Sequence, residues 1–95
     1  MPNLFLELYK IIELRQNSKD RKSYTKKLFK EGEKKIAQKF GEESAELIID
    51  FLKGSKKRTT EEAIDVIYHL FVLLSSKKIK FNELEKEILK RKNVR

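Results

Sequence analysis

The sequence predicts an all-α fold, a bundle of four to five helices. Three observations carry this. Proline occurs once in 95 residues, at Pro2, and glycine only three times. Apolar residues recur at three- and four-residue spacing along nearly the whole chain, and strand-like alternation is absent. The length sets one domain, 1–95, and 39% hydrophobic with 40% charged residues supplies a core that remains small for a lone chain. Burial is therefore expected to be completed by dimerisation.

The elements follow in order. A first helix spans Leu4 to Gln16, with Leu4, Leu8, Ile11, Ile12 and the Arg15 stem as its inner stripe, and Asn17-Ser18-Lys19-Asp20 ends it. Ser23-Tyr24-Thr25 leads into a short turn over Lys27 to Glu31, which Gly32 interrupts. A second helix runs from Glu33 to Lys53 and is closed by Gly54-Ser55. A third fills Lys57 to Ser76, and a fourth spans Asn82 to Lys92 with Asn82 and Glu85 as a capping box. The third helix has two possible starts. A Thr59/Glu62 capping box would occupy Glu62 locally, whereas Ser55 as N-cap leaves that side chain to point inward; Ser55 is the favoured start.

Several function classes are excluded at once. Without cysteine there are no disulfides and no thiolate chemistry, and His69 alone cannot build a multi-histidine metal site. The longest apolar run, Val66 to Leu74, is nine residues, too short to span a membrane, and no basic-then-apolar leader opens the chain. The lack of cysteine fits a reducing compartment. The net charge of +8 conceals an asymmetry: Glu42 to Asp50 holds four acids and Glu61 to Asp65 three, neither with a base, so the rest is more basic still. Such a surface suits nucleic acid, anionic lipid or a phosphorylated small molecule. Eighteen of the 23 basic residues are lysines, which is also the composition of an ordinary solvated face.

The two acidic segments are the informative ones. Wound at about 100° per residue, the second helix gathers Ile36, Ala37, Phe40, Ala45, Leu47, Ile48, Ile49, Phe51 and Leu52 on an arc of roughly 220°, with Glu43, Glu46 and Asp50 beside it. The third helix is apolar over most of its circumference, with Val72 on the far side, and its polar strip is Glu62, Asp65, His69 and Ser76. A helix apolar nearly all round is expected to be buried with its acids. If the two strips face each other, four carboxylates converge. Protons, lysine partners or a divalent cation could make that tolerable. The i, i+3 spacing of Glu43/Glu46 and of Glu62/Asp65 favours the cation, because each helix then offers two oxygens on one face. All-oxygen ligation suits Mg²⁺ or Mn²⁺.

The strings Ser23-Tyr24-Thr25, Lys27-Leu28, Gly32, Lys35-Ile36, Lys39, Gly41-Glu42-Glu43, Glu46, Glu61-Glu62-Ala63, Asp65 and Tyr68-His69-Leu70 carry a resemblance over nearly the whole chain. It resembles the phosphoribosyl-ATP pyrophosphohydrolases, the histidine-biosynthesis branch of the MazG-like all-α nucleotide pyrophosphohydrolases. The resemblance implies a cytoplasmic homodimer that cleaves phosphoribosyl-ATP between its α and β phosphates with Mg²⁺, giving phosphoribosyl-AMP and pyrophosphate. It implies metal ligation by Glu43, Glu46, Glu62 and Asp65. Catalytic roles fall on Glu42, Glu43 and Glu46, with Glu42 as a water-orienting acid, and substrate contacts on Ser23, Tyr24, Lys27, Lys35 and Lys39. One departure is Lys77-Lys78-Ile79, where relatives often carry glycine.

Other readings compete. The same acids fit a MazG-like pyrophosphatase acting on other nucleoside triphosphates. The charge alone fits a nucleic-acid binder, but few aromatics stand in the basic stretches and no reading helix is recognisable, so no nucleic-acid partner and no membrane are expected. A purely structural dimerisation module would leave the acid pairs without use.

Overall fold

The computed structural model describes residues 2–20 and 22–92. Among them are five helices and no strand: α1 Leu4–Gln16, α2 Tyr24–Glu31, α3 Glu33–Lys53, α4 Lys56–Ser76 and α5 Phe81–Arg91. The all-α expectation holds, and α1 and α3 have the bounds read from the sequence. None of the helices described is long and apolar enough to cross a membrane.

The scaffold is a hairpin of the two 21-residue helices α3 and α4, each ~31 Å long, which make the most extensive contact in the molecule. Gly54 and Ser55 form its bend. A β-carbon at Gly54 would stand 2.9 Å from the Asp50 carbonyl oxygen, so the tight approach of the chain to the end of α3 requires glycine there. α1 and α2 lean on the hairpin, and the buried core consists of Tyr9 and Ile12 from α1, Leu28 from α2, Ile36 from α3, and Phe71 and Val72 from α4.

The segment read as a turn over Lys27 to Glu31 is a full helix. Ser23 caps it, its hydroxyl accepting the Lys26 N–H at 3.2 Å, and Gly32 at φ 97° turns the chain into α3. The α1 stripe is also rotated from the one expected. Ile12 is buried and Leu8 packs on the core as expected, but Leu4, Ile11 and Arg15 are exposed, and Tyr9, outside the expected stripe, is fully buried. Tyr9 fixes this phase: its ring packs against Phe71 and Phe81, and its hydroxyl donates to the Ile79 carbonyl.

The expectation that α4 is buried with its acids holds at Glu62 and not at Asp65, which is exposed. Val72, read as the far side of an apolar helix, is 0% exposed and lies with Glu62, His69 and Ser75 on the buried face. Of the α4 apolar arc, Phe71 is buried and Ile67, Leu70, Leu73 and Leu74 pack against the core, while Ile64 is half exposed. On α3 only Ile36 is buried, and Ile48, Ile49, Phe51 and Leu52 are 58–73% exposed.

α5 begins at Phe81, and its cap is not Asn82 with Glu85. The Glu83 carboxylate accepts the Lys80 N–H at 2.7 Å, because Phe81 is drawn against Tyr9 and Phe71 and so starts the helix earlier. Between α4 and α5 the Ile79 N–H donates to the Leu74 carbonyl at 3.1 Å and the Lys78 N–H to that of Ser75 at 3.0 Å, the paired bonds of a left-handed helix stop. Lys78 accordingly sits at φ 64°, the conformation glycine adopts without a β-carbon penalty. Lys78→Gly should raise stability by about 0.5–1 kcal/mol in urea denaturation, the relief of left-handed strain exceeding the entropy that glycine adds to the unfolded chain.

Candidate active site

The geometry of the site begins with a cap. The Ser55 hydroxyl accepts the Arg58 N–H at 3.1 Å and starts α4 there, while Thr59 turns its hydroxyl back to the carbonyls of Asp50 and Ser55. Glu62 is thereby released from local capping and enters the seam between α3 and α4, where it is 5% exposed. One carboxylate oxygen, Oε1, accepts from Arg58 Nη2 at 2.9 Å; the other, Oε2, is buried with no hydrogen-bond partner. Oxygens of Glu43, Glu62 and Asp65 all lie within 4.8 Å of one another. Ligand oxygens around one octahedral Mg²⁺ stand about 3–4 Å apart, so a small rotamer adjustment would close these three on a single ion.

Glu46 lies just outside that trio. It is exposed, yet its charge acts on Glu62. Burial pushes the Glu62 carboxyl above the usual glutamate range, and the charges of Glu46, Asp65 and Glu43 push it further. Arg58 offsets part of this from a half-exposed position shared among Glu61 at 3.0 Å, Glu62 and Asp50 at 3.7 Å. A base therefore does reach the acids, as does Lys39, 3.7 Å from Glu43. The sequence reading found no base within either acidic segment; Arg58 lies outside them, one helical turn before Glu62, and the i, i+4 spacing was the signal that could have found it.

The residues expected to touch substrate divide into two groups. Tyr24, Lys27, Lys35 and Lys39 line one cleft of about 220 Å³, together with Leu28 and Glu31. Ser23 is buried and its hydroxyl is engaged as the α2 cap. Glu42 is exposed and accepts from the Gln38 amide at 3.1 Å.

A polar chain links this cleft to the acidic turn of α4. His69 Nδ1 lies 2.7 Å from the Asp65 carbonyl oxygen, which can only accept, so the proton is on Nδ1 and Nε2 presents a lone pair. The Tyr24 hydroxyl donates to it at 3.3 Å. Burial holds the Tyr24 phenol above its ordinary pKa against the pull of Lys39, which keeps it a donor. His69 is buried and engaged at both ring nitrogens, as a core histidine would be, but its partner lies in the cleft. Beside it, Thr25 and Tyr68 share a hydrogen bond through their hydroxyls. Composition and periodicity do not announce either contact.

Hard oxygen donors gathered beside a lysine-lined cleft form the arrangement of an all-α hydrolase that cleaves phosphate anhydrides. Comparison with known proteins identifies which one. The family model for phosphoribosyl-ATP pyrophosphohydrolase matches residues 5–92. A phosphoribosyl-ATP pyrophosphatase of Bacillus cereus is 45% identical over 91 residues, covering 96% of this chain and 85% of that protein. A histidine biosynthesis bifunctional protein HisIE of Thermotoga maritima is 40% identical over 91 residues, of which this chain spans 46%, and one of Staphylococcus aureus is 45% identical over 78 residues. The chain belongs to the phosphoribosyl-ATP pyrophosphohydrolase family and is a hydrolase of histidine biosynthesis.

Because the Glu62 pKa is raised by folding, the cost of its charge is absent below the ordinary glutamate pKa and fully present above the raised one. Measured without added divalent cation, Glu62→Gln should melt higher than the parent protein at about pH 7.5. The difference should vanish as the pH falls to about 4, which thermal scans across that range will show.

Proposed function

We propose that this protein hydrolyses phosphoribosyl-ATP between the α and β phosphates in a reaction that requires Mg²⁺ or Mn²⁺ held by Glu43, Glu46, Glu62 and Asp65. One water is consumed, and phosphoribosyl-AMP, pyrophosphate and a proton leave. Two observations carry this reading: oxygens of Glu43, Glu62 and Asp65 lie within 4.8 Å of one another, and Glu62 Oε2 is buried without a hydrogen-bond partner. A buried unsatisfied carboxylate oxygen is costly, and a hard divalent ion is the ligand its chemistry fits. Bound there, the ion supplies charge neutralisation and a lowered pKa for water in contact with it.

The chain's own residues do the rest. Lys39 and Lys35 stand in the cleft as counter-charges for phosphate oxygens, and the cleft's position next to Glu43 puts those charges beside the acids. Tyr24 is held as a hydroxyl group by His69 and orients the wall of the cleft. Lys27 extends the basic rim. Glu42, exposed on the turn next to Glu43, is placed to orient an incoming water, and an acid of the cluster takes its proton. No covalent nucleophile is needed for this chemistry.

Pyrophosphate release from phosphoribosyl-ATP should stop on chelation and return with Mg²⁺. Glu43→Gln and Asp65→Asn should each lower kcat/KM by about a hundredfold or more, with the cation requirement shifted to higher concentration. A preference for ordinary nucleoside triphosphates over phosphoribosyl-ATP would identify the alternative pyrophosphatase instead.

The protein is also proposed to work as a cytoplasmic homodimer. Ile48, Ile49, Phe51, Leu52 and Ile64 form an apolar outer surface on the α3–α4 hairpin, and a self-complementary helical surface of this kind is buried by a second copy. Light scattering should give twice the 11.3 kDa chain mass, and Phe51→Glu combined with Leu52→Glu should return it to the single-chain value.

A further inference from the structure

Helix α2 separates two hollows of different use. The smaller is the cleft of Tyr24, Lys35 and Lys39 beside the carboxylates. The larger, about 1140 Å³, lies on the other flank of α2, between it and the connector that follows α1. Lys27 lines both. At about 100° per residue, Lys26 and Lys30 share one side of α2, Tyr24 and Leu28 another, and Lys27 falls between them. A ligand lying over Lys27 would reach both hollows.

The larger hollow is strongly basic. Lys19, Lys26, Lys27 and Lys30 line it against a single acid, Asp20, whose carboxylate already accepts the Lys22 N–H at 2.9 Å. It is also anchored to the fold. Lys26 Nζ donates to the Gln16 carbonyl at 3.0 Å, and the Gln16 side chain accepts from Ser75 of α4 at 3.0 Å. Phe29, which packs on the core from its inner side, adds an apolar wall on which a sugar or base can rest. None of this is needed to cleave an anhydride at the carboxylates.

The chemistry of the substrate supplies the use. The function proposed above, on which this inference rests, gives a two-ended molecule: a triphosphate at one end and, beyond the base, a second ribose bearing its own phosphate. The triphosphate belongs with the acids and Lys39. The distal phosphate is doubly charged near neutral pH and needs a separate basic site. An α-helix with its side chains is about 10–12 Å across, a distance that the nucleoside between the two phosphate-bearing ends can span. We propose that the hollow between α2 and the α1–α2 connector binds the phosphate-bearing second ribose. Lys19 and Lys30 contact its phosphate, Lys27 bridges the two halves of the ligand, and the hollow thereby selects the two-ended nucleotide over ordinary ones.

The test compares two probes that differ only in that second ribose phosphate, AMP and phosphoribosyl-AMP, by calorimetry on the full chain. Wild type should bind phosphoribosyl-AMP more tightly. Lys19→Ala with Lys30→Ala should weaken phosphoribosyl-AMP by about tenfold or more and leave AMP unchanged, while Lys90→Ala, at the end of α5, should alter neither. Equal weakening of both probes, or none, overturns the assignment. The two readings fail separately. Wild type that releases no pyrophosphate from phosphoribosyl-ATP removes the functional reading and this one with it; wild type that does, beside a double variant with undiminished preference, removes the hollow alone.

Discussion

Repulsion between carboxylates across the α3–α4 seam is the constraint around which this small fold is arranged. Glu43 on one helix and Glu62 and Asp65 on the other bring their oxygens within 4.8 Å, and Glu62 does so from a position almost out of water. Nothing in helix packing favours this. What makes it possible is a set of neighbours that each hold one part of the charge. Ser55 sets where α4 begins, Arg58 takes one oxygen of Glu62, and Lys39 approaches Glu43. The other oxygen of Glu62 is left buried without a hydrogen-bond partner. A buried carboxylate in this position costs stability, and such costs are common where chemistry is done.

The same demand explains why α4 carries polar residues into the interior. A soluble helix normally turns its apolar arc inward and its polar strip to water. Here Glu62, His69 and Ser75 are buried with Val72, and Ile64 is left outside with the apolar residues of α3. The interior is small: six buried apolar residues form it among the described residues, three of them from α1 and α2. With polar groups on its inner face, the hairpin leaves apolar side chains of α3 on its outer surface, the surface on which the homodimer proposed above would form.

What the sequence made legible were features set by local chemistry. Asn17, Gly32 and Gly54-Ser55 punctuate the chain, so the ends of α1 and α3 were readable, and the i, i+3 acid pairs announced a shared face. Features decided by neighbours were not. The phase of α1 follows from Tyr9 reaching Ile79, seventy positions away, and the early start of α5 follows from Phe81 meeting Tyr9 and Phe71. The wheel of α4 separated polar from apolar but could not say that Val72, on its far side, would be fully buried. Arg58 escaped notice because it lies outside both acidic segments, and α2 because its length is set by a cap, Ser23, that reads equally well as part of a loop.

The hydrogen bonds of His69 connect the two halves of the site. Asp65 contributes its side chain to the acid trio and its backbone carbonyl to His69, which in turn receives the Tyr24 hydroxyl. The wall of the lysine cleft on α2 is thus tied to the same turn of α4 that presents the acids. Thr25 and Tyr68, adjacent in sequence to Tyr24 and His69, make a second tie between the same two helices. Two bonds at neighbouring positions resist both sliding and rotation of α2 against α4, which a single bond would not. Lys35 and Lys39 of the cleft and the carboxylates of α4 are therefore held at a set separation. That preorganisation matters more in an anhydride hydrolase than in an enzyme with a covalent nucleophile, because positioning and charge neutralisation are most of what such a protein contributes.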